Sequence, residues 1–103
     1  MPGLVARDAI LWYHATMQRR HQKTLDEIFQ KPDRKSVLWS DFITVLHALD
    51  ADITEKGGSM VGIRLNGRYA VFHRPHPGNE IYPSDLKRIR RFLVESGAVE
   101  QRQ

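Results

Sequence analysis

The sequence predicts an α+β fold: a three-stranded antiparallel sheet with helices on one face, plus an N-terminal helical extension. Three observations carry this. Asn66-Gly67 lies between two alternating apolar runs, the signature of a type I′ hairpin, whose two central residues both need positive φ. Upstream, Phe42, Val45, Leu46 and Leu49 repeat at i, i+3, i+4 and i+7, the pattern of a helix with one apolar face. Downstream, Leu86, Ile89, Phe92 and Leu93 mark a second such helix.

A two-residue loop sets the pairing on either side of it. Leu65 faces Arg68, Arg64 faces Tyr69, Ile63 faces Ala70, Gly62 faces Val71, Val61 faces Phe72 and Met60 faces His73. Directly opposed residues share a face of the sheet. Val61, Ile63, Leu65, Ala70 and Phe72 therefore read as core. Met60, Gly62, Arg64, Tyr69, Val71 and His73 form the other face, where function is to be sought first.

The remaining elements follow in order. Ala6, Ile10, Tyr13 and Met17 recur at helical spacing, a loose amphipathic helix that Leu11 and Trp12 leave aside. Thr24 and Glu27 have the spacing of a capping box, so a short helix starts at Thr24, buries Leu25, Ile28 and Phe29, and ends at Pro32. Lys31 to Ser36 is polar and reads as a connection. Ser40 is the expected N-cap of the next helix, with Asp41 in its first turn and Trp39 over its entrance. Ala51 to Lys56 alternates around Ile53 as a first strand, which Gly57-Gly58 turns into the hairpin. Arg74-Pro75-His76-Pro77-Gly78-Asn79 ends the third strand, since its prolines remove ladder donors. Ser84 is the expected cap of the final helix, and Gly97 its C′ residue.

Composition narrows the function classes. At 103 residues with 41% hydrophobic and 27% charged residues, the chain is an ordinary globular domain. A net charge of +4 suits an anionic partner, nucleic acid before a membrane surface. There are no cysteines, which removes thiol and disulfide chemistry and fits a reducing, cytoplasmic location. Apolar runs are too short for a membrane span or a secretory signal.

Several stretches together resemble a known family. The helix ends Leu46-His47-Ala48-Leu49, the turn holds Gly58-Ser59, and His-Pro-Gly-x-Glu appears at His76-Pro77-Gly78-Asn79-Glu80. The closing helix runs from Asp85 to Gly97. Between Trp39 and Gly97 this ordered set resembles the HicA toxins of bacterial toxin–antitoxin pairs, small mRNA-cleaving proteins with a double-stranded-RNA-binding-domain-like α-β-β-β-α fold. The chain then divides into an N-terminal helical extension, residues 1–35, and a HicA-like domain, residues 36–103. The resemblance implies an mRNA substrate, a HicB-like antitoxin and catalysis without metal or other cofactor. In one place the sequence departs from the family, whose catalytic histidine directly follows the Gly-Ser pair. Met60 stands there, and a thioether does not take a proton from a ribose hydroxyl near neutral pH.

Two histidines are candidates for the missing role. His73 lies across the hairpin from Met60, so its imidazole projects into the same space from the neighbouring strand, and histidine is the natural acid or base at neutral pH. His76, stiffened by Pro75 and Pro77, is the candidate acid or phosphate ligand. His73-x-x-His76 with Glu80 has metal-like spacing, but the prolines disfavour convergence and no fourth ligand is evident, so no metal site is assigned. Candidate RNA-binding residues are Ser59 beside the glycine turn, Arg64 and Arg74 on the sheet, Lys87, Arg88 and Arg91 on the last helix, and Tyr69 as a base-stacking ring. A non-catalytic RNA-binding or protein-interaction module of the same fold stands as the alternative.

Overall fold

The computed structural model of the chain describes residues 18–30 and 36–99. The expectations for Ala6 to Met17, and for Pro32 as a helix terminator, lie outside them. In order, the described elements are α1 (Arg19–Phe29), α2 (Trp39–Ala48), β1 (Asp52–Gly57), β2 (Met60–Leu65), β3 (Arg68–His73) and α3 (Pro83–Glu95). The strands form one antiparallel sheet in the order β1-β2-β3. This is the expected α+β architecture.

The hairpin is as predicted. Asn66 has φ 51° and Gly67 φ 84°, and all six β2–β3 pairs, from Leu65–Arg68 to Met60–His73, match the two-residue loop. Val61, Ile63, Leu65 and Phe72 are buried, with Ala70 packed against them. They share one hydrophobic cluster with Leu25 and Ile28 of α1, Phe42, Val45 and Leu46 of α2, and Leu86, Ile89 and Leu93 of α3. All three helices thus contribute to the core that covers one sheet face. A chain of edge-on rings crosses the layers: Trp39–Phe42 at 5.6 Å between centroids, Phe42–Phe72 at 6.4 Å and Phe72–Phe92 at 5.8 Å. The hairpin tip is tied to the end of α3, where the Asn66 side-chain amide donates to the Ser96 carbonyl at 3.0 Å and Arg68 pairs with Glu95 at 2.6 Å.

Helix starts depart from expectation in three places. α1 begins at Arg19, so Thr24 sits inside it and its hydroxyl donates to the Arg20 carbonyl at 3.1 Å instead of capping. Arg, Gln and Lys upstream are good helix formers, and they extend the helix past the apparent capping box. Its buried stripe is His21, Thr24, Leu25 and Ile28, spaced i, i+3, i+4 and i+7 behind two polar residue types. α3 begins at Pro83, whose fixed φ and missing N–H suit the first helical position, so Ser84 is already inside. α2 begins at Trp39, and Ser40 is not its cap.

Asn79 provides that cap from 39 residues away. The Trp39 N–H donates to the Asn79 carbonyl at 2.7 Å, and the Ser40 N–H to Asn79 Oδ1 at 3.2 Å. Asn79 Nδ2 in turn donates to Ser40 Oγ at 3.0 Å. Beside this, Leu38 bridges Glu80, and the Ile81 N–H donates to the Val37 carbonyl at 2.9 Å. The loop after β3 is therefore a brace that satisfies orphan donors of α2. At the other end, α2 closes with Asp50 at φ 64°, its N–H on the His47 carbonyl and that of Ala51 on the Leu46 carbonyl, both at 3.0 Å. α3 closes the same way, with Gly97 at φ 78°.

Asn79→Ala removes the side-chain acceptor for Ser40 and is expected to cost about 1 kcal/mol, the usual loss for an N-cap. Urea denaturation measures it. Ser84→Ala, outside any cap, is expected to stay within about 0.5 kcal/mol of the parent.

Candidate functional site

The site is built on the sheet face that none of the described helices covers. Strand alternation delivers its residues. The Arg74 N–H donates to the Ser59 carbonyl at 2.7 Å, so the pair just beyond the strand ends is hydrogen-bonded. Bonded and non-bonded pairs alternate along an antiparallel ladder, which makes the adjacent Met60–His73 couple a non-bonded pair. Opposed side chains approach each other most closely in such pairs. His73 is exposed and Met60 is 38% exposed, so imidazole and thioether stand side by side at one end of the open face.

The same face carries an aromatic residue between two cations, Arg64 toward the hairpin tip and Lys56 toward the Met60 end. Tyr69 is 46% exposed and lies across Gly62, where an added Cβ would come within 2.5 Å of its hydroxyl and 3.1 Å of Cε1 and Cζ. The missing side chain lets the ring lie close to the sheet. The Arg64 guanidinium is 5.0 Å from the ring centroid and the Lys56 ammonium 6.0 Å, both within cation–π reach. Together with Asp52, Ile53 and Thr54 these side chains line a shallow depression.

The other candidates are distributed differently. Alternation turns Arg74 to the opposite face from His73, where it pairs with Glu55. Arg88 reaches back from α3 to the edge of β3, donates to the Val71 carbonyl at 2.9 Å, and sits 4.6 Å from the Phe72 ring centroid and 3.9 Å from Asp85. Its contacts are structural as well as cationic. Lys87 and Arg91 are exposed on α3, on the helical side of the molecule, away from Tyr69. Ser59 follows Gly57 (φ 101°) and Gly58 (φ 59°) in the β1–β2 turn. His76 is exposed in the loop after β3, beside buried Pro75 and a cis His76–Pro77 bond, three residues before the Asn79 brace. The structure therefore brings Met60 and His73 together, and Arg64 with Tyr69, but splits the cations between two surfaces.

Sequence reasoning missed Lys56. Its position follows from the β1–β2 register, in which Asp52 faces Arg64 and Thr54 faces Gly62, before an irregularity between Glu55 and Gly57. Two consecutive glycines leave that register open in the sequence, whereas Asn66-Gly67 closes the other. Among the described residues no three His, Asp or Glu side chains gather as a metal site, and no helix is long and apolar enough to cross a membrane.

These features define a small α+β domain with a packed helical face and an open, basic sheet face ending in a histidine. The family model of the HicA toxin of bacterial toxin–antitoxin matches residues 39–103, from the first residue of α2 onward. The chain belongs to the HicA toxin family. Comparisons with curated proteins and with solved structures give no match.

Arg88 is expected to differ from its neighbours in stability tests. Arg88→Ala loses the contacts to Val71 and Phe72 and is expected to cost about 0.5–1 kcal/mol, as for an exposed cation–π contact. Lys87→Ala and Arg91→Ala are expected to leave the urea midpoint nearly unchanged.

Proposed function

We propose that this chain is the toxin of a toxin–antitoxin pair and acts as a metal-independent endoribonuclease on mRNA, with His73 as general base. The Met60–His73 pairing carries the reading. It puts an exposed imidazole next to the position that the family fills with histidine, reached from β3 instead of β2. In this mechanism His73 takes the proton from a ribose 2′-hydroxyl, and the oxygen attacks the adjacent phosphorus. The bond to the 5′-oxygen breaks, and that oxygen takes a proton from an acid, for which His76 is the candidate. The products are a 2′,3′-cyclic phosphate and a 5′-hydroxyl end. Arg64 on the open face and Ser59 in the β1–β2 turn are the proposed phosphate contacts near the cut, Tyr69 is the stacking ring, and Arg74, Lys87, Arg88 and Arg91, on the other surface, are proposed to meet only RNA that extends past the sheet edge. A cytoplasmic location follows from an mRNA target.

Induced expression with mapping of cellular RNA ends tests this. The parent chain is expected to arrest growth and generate new 5′-hydroxyl ends. His73→Ala is expected to abolish both with RNA affinity nearly intact, since the residue acts in the transition state more than in binding. Met60→His is expected to restore cleavage to His73→Ala. Full toxicity of His73→Ala refutes the assignment. Met60 at the family's histidine position favours one second reading, a non-catalytic RNA-binding or protein-interaction module, and RNA binding by the parent chain without new ends establishes it.

The partner in this reading is a HicB-like antitoxin that covers the open face. Complementary potentials orient such associations, so its contact surface is expected to be acidic. Co-purification with the product of the neighbouring gene, weakened by Arg64→Glu, is the expected result. A basic partner, or one indifferent to Arg64→Glu, removes the masking model.

A further inference from the structure

Three side chains of the open face, Lys56, Arg64 and Tyr69, take no part in the proton transfers. We infer that Lys56, Arg64 and Tyr69 form a subsite for an unpaired nucleotide, its base stacked against the Tyr69–Arg64 pair and its phosphate held by the two cations. The inference rests on the RNA-cleaving reading and adds to it the form of RNA that the face accepts.

The three residues come from three different strands, β1, β2 and β3, so the sheet itself holds their spacing. Gly62 sets the ring. With no Cβ beneath it, Tyr69 lies over the middle strand, and the glycine is buried although it belongs to the open face. Charge pairing separates these cations from three of the arginines near them, while Lys87 and Arg91 lie on the helical side of the molecule. Arg68 is paired with Glu95, Arg74 with Glu55 and Arg88 with Asp85. Lys56 and Arg64 have the tyrosine ring between them and no carboxylate partner among the described residues. Asp52 faces Arg64 across β1–β2 and makes no ion pair with it.

Exposed cations around an aromatic ring suit the two chemistries of single-stranded RNA, a π-face and a phosphate. A base inside a duplex keeps its faces stacked on its neighbours and cannot use the ring. Tyr69 and His73 are four residues apart on β3, about 13 Å along the strand. The nucleotide held at Tyr69 is therefore a neighbour of the one cut beside His73, on the same unpaired strand.

The test uses a 2′-O-methylated oligoribonucleotide, which lacks the nucleophile, free or annealed to its complement, with affinities from fluorescence anisotropy. Tyr69→Ala is expected to weaken binding of the single strand about 10- to 100-fold, the usual loss for a stacked base, and to leave the duplex nearly unchanged. Tyr69→Phe is expected to bind as the parent does. Gly62→Ala, by displacing the ring, is expected to weaken the single strand by at least about threefold. Lys56→Ala, on an exposed strand, is expected to reduce the slope of log affinity against log salt by about one. Unchanged single-strand affinity in Tyr69→Ala, an equal loss on the duplex, or an unchanged salt slope in Lys56→Ala overturns the subsite. Loss of binding to the neighbouring gene's product with RNA affinity intact gives the patch to a protein partner and also overturns it. No cleavage occurs in this assay, so its failure leaves the His73 assignment standing, and an inert His73 leaves the subsite standing.

Discussion

Positive φ at Asn66 and Gly67 is the constraint on which the rest of the molecule depends. With two residues in the turn, the parity of every position on β2 and β3 is decided. Val61, Ile63, Leu65 and Phe72 point into the helical layer, and Met60, Arg64, Tyr69 and His73 point away from it. A slip of one residue would exchange the two sets and drive Arg64 and His73 into the core. Asn66 also uses its side chain, since its amide holds the Ser96 carbonyl at the end of α3. One residue thereby sets the register and fastens the sheet to the helix that covers it.

A second long-range contact secures the other end. Asn79 belongs to the His-Pro-Gly-x-Glu stretch and takes up the first N–H groups of α2, so the loop carrying His76 is braced against the helix that starts the family-matched region. Buried Pro75 anchors the near side of that loop. Within that stretch the position the pattern leaves open, Asn79, is thus a structural device. His76 sits on a loop whose two ends are held and whose middle is exposed.

The parts of the fold legible in the sequence are those decided within one turn of helix or one hairpin. The Asn66-Gly67 dipeptide predicts its register because both residues favour the backbone shape the turn needs, and Gly97 predicts the end of α3 for the same reason. Helix starts are less legible, because what fixes them is not local. The cap of α2 comes from Asn79, remote in sequence, and α3 uses Pro83 in place of a side-chain cap. The start of α1 was hidden because His21 and Thr24 occupy its buried stripe. On the open face, the Met60–His73 couple and the Arg64–Tyr69 contact follow from register alone. The inward turn of Arg74 follows from it too. That Arg88 is spent on the Val71 carbonyl and the Phe72 ring depends on how α3 is placed along β3, which no local pattern encodes.

This separation of faces explains how the family position can hold methionine without disturbing the fold. Met60 and His73 are both exposed, and neither belongs to the hydrophobic cluster, so exchanging residue types there leaves the packed face untouched. An imidazole on β2 or on β3 meets the same space, because the two positions are directly opposed and non-hydrogen-bonded. Stability resides in the helical face, in the ring chain from Trp39 to Phe92 and in the two long-range ties made by Asn66 and Asn79. The open face carries little of that stability. Its residues are free to be selected for chemistry, and the residue whose place there depends most on its neighbours is Tyr69, held down over Gly62.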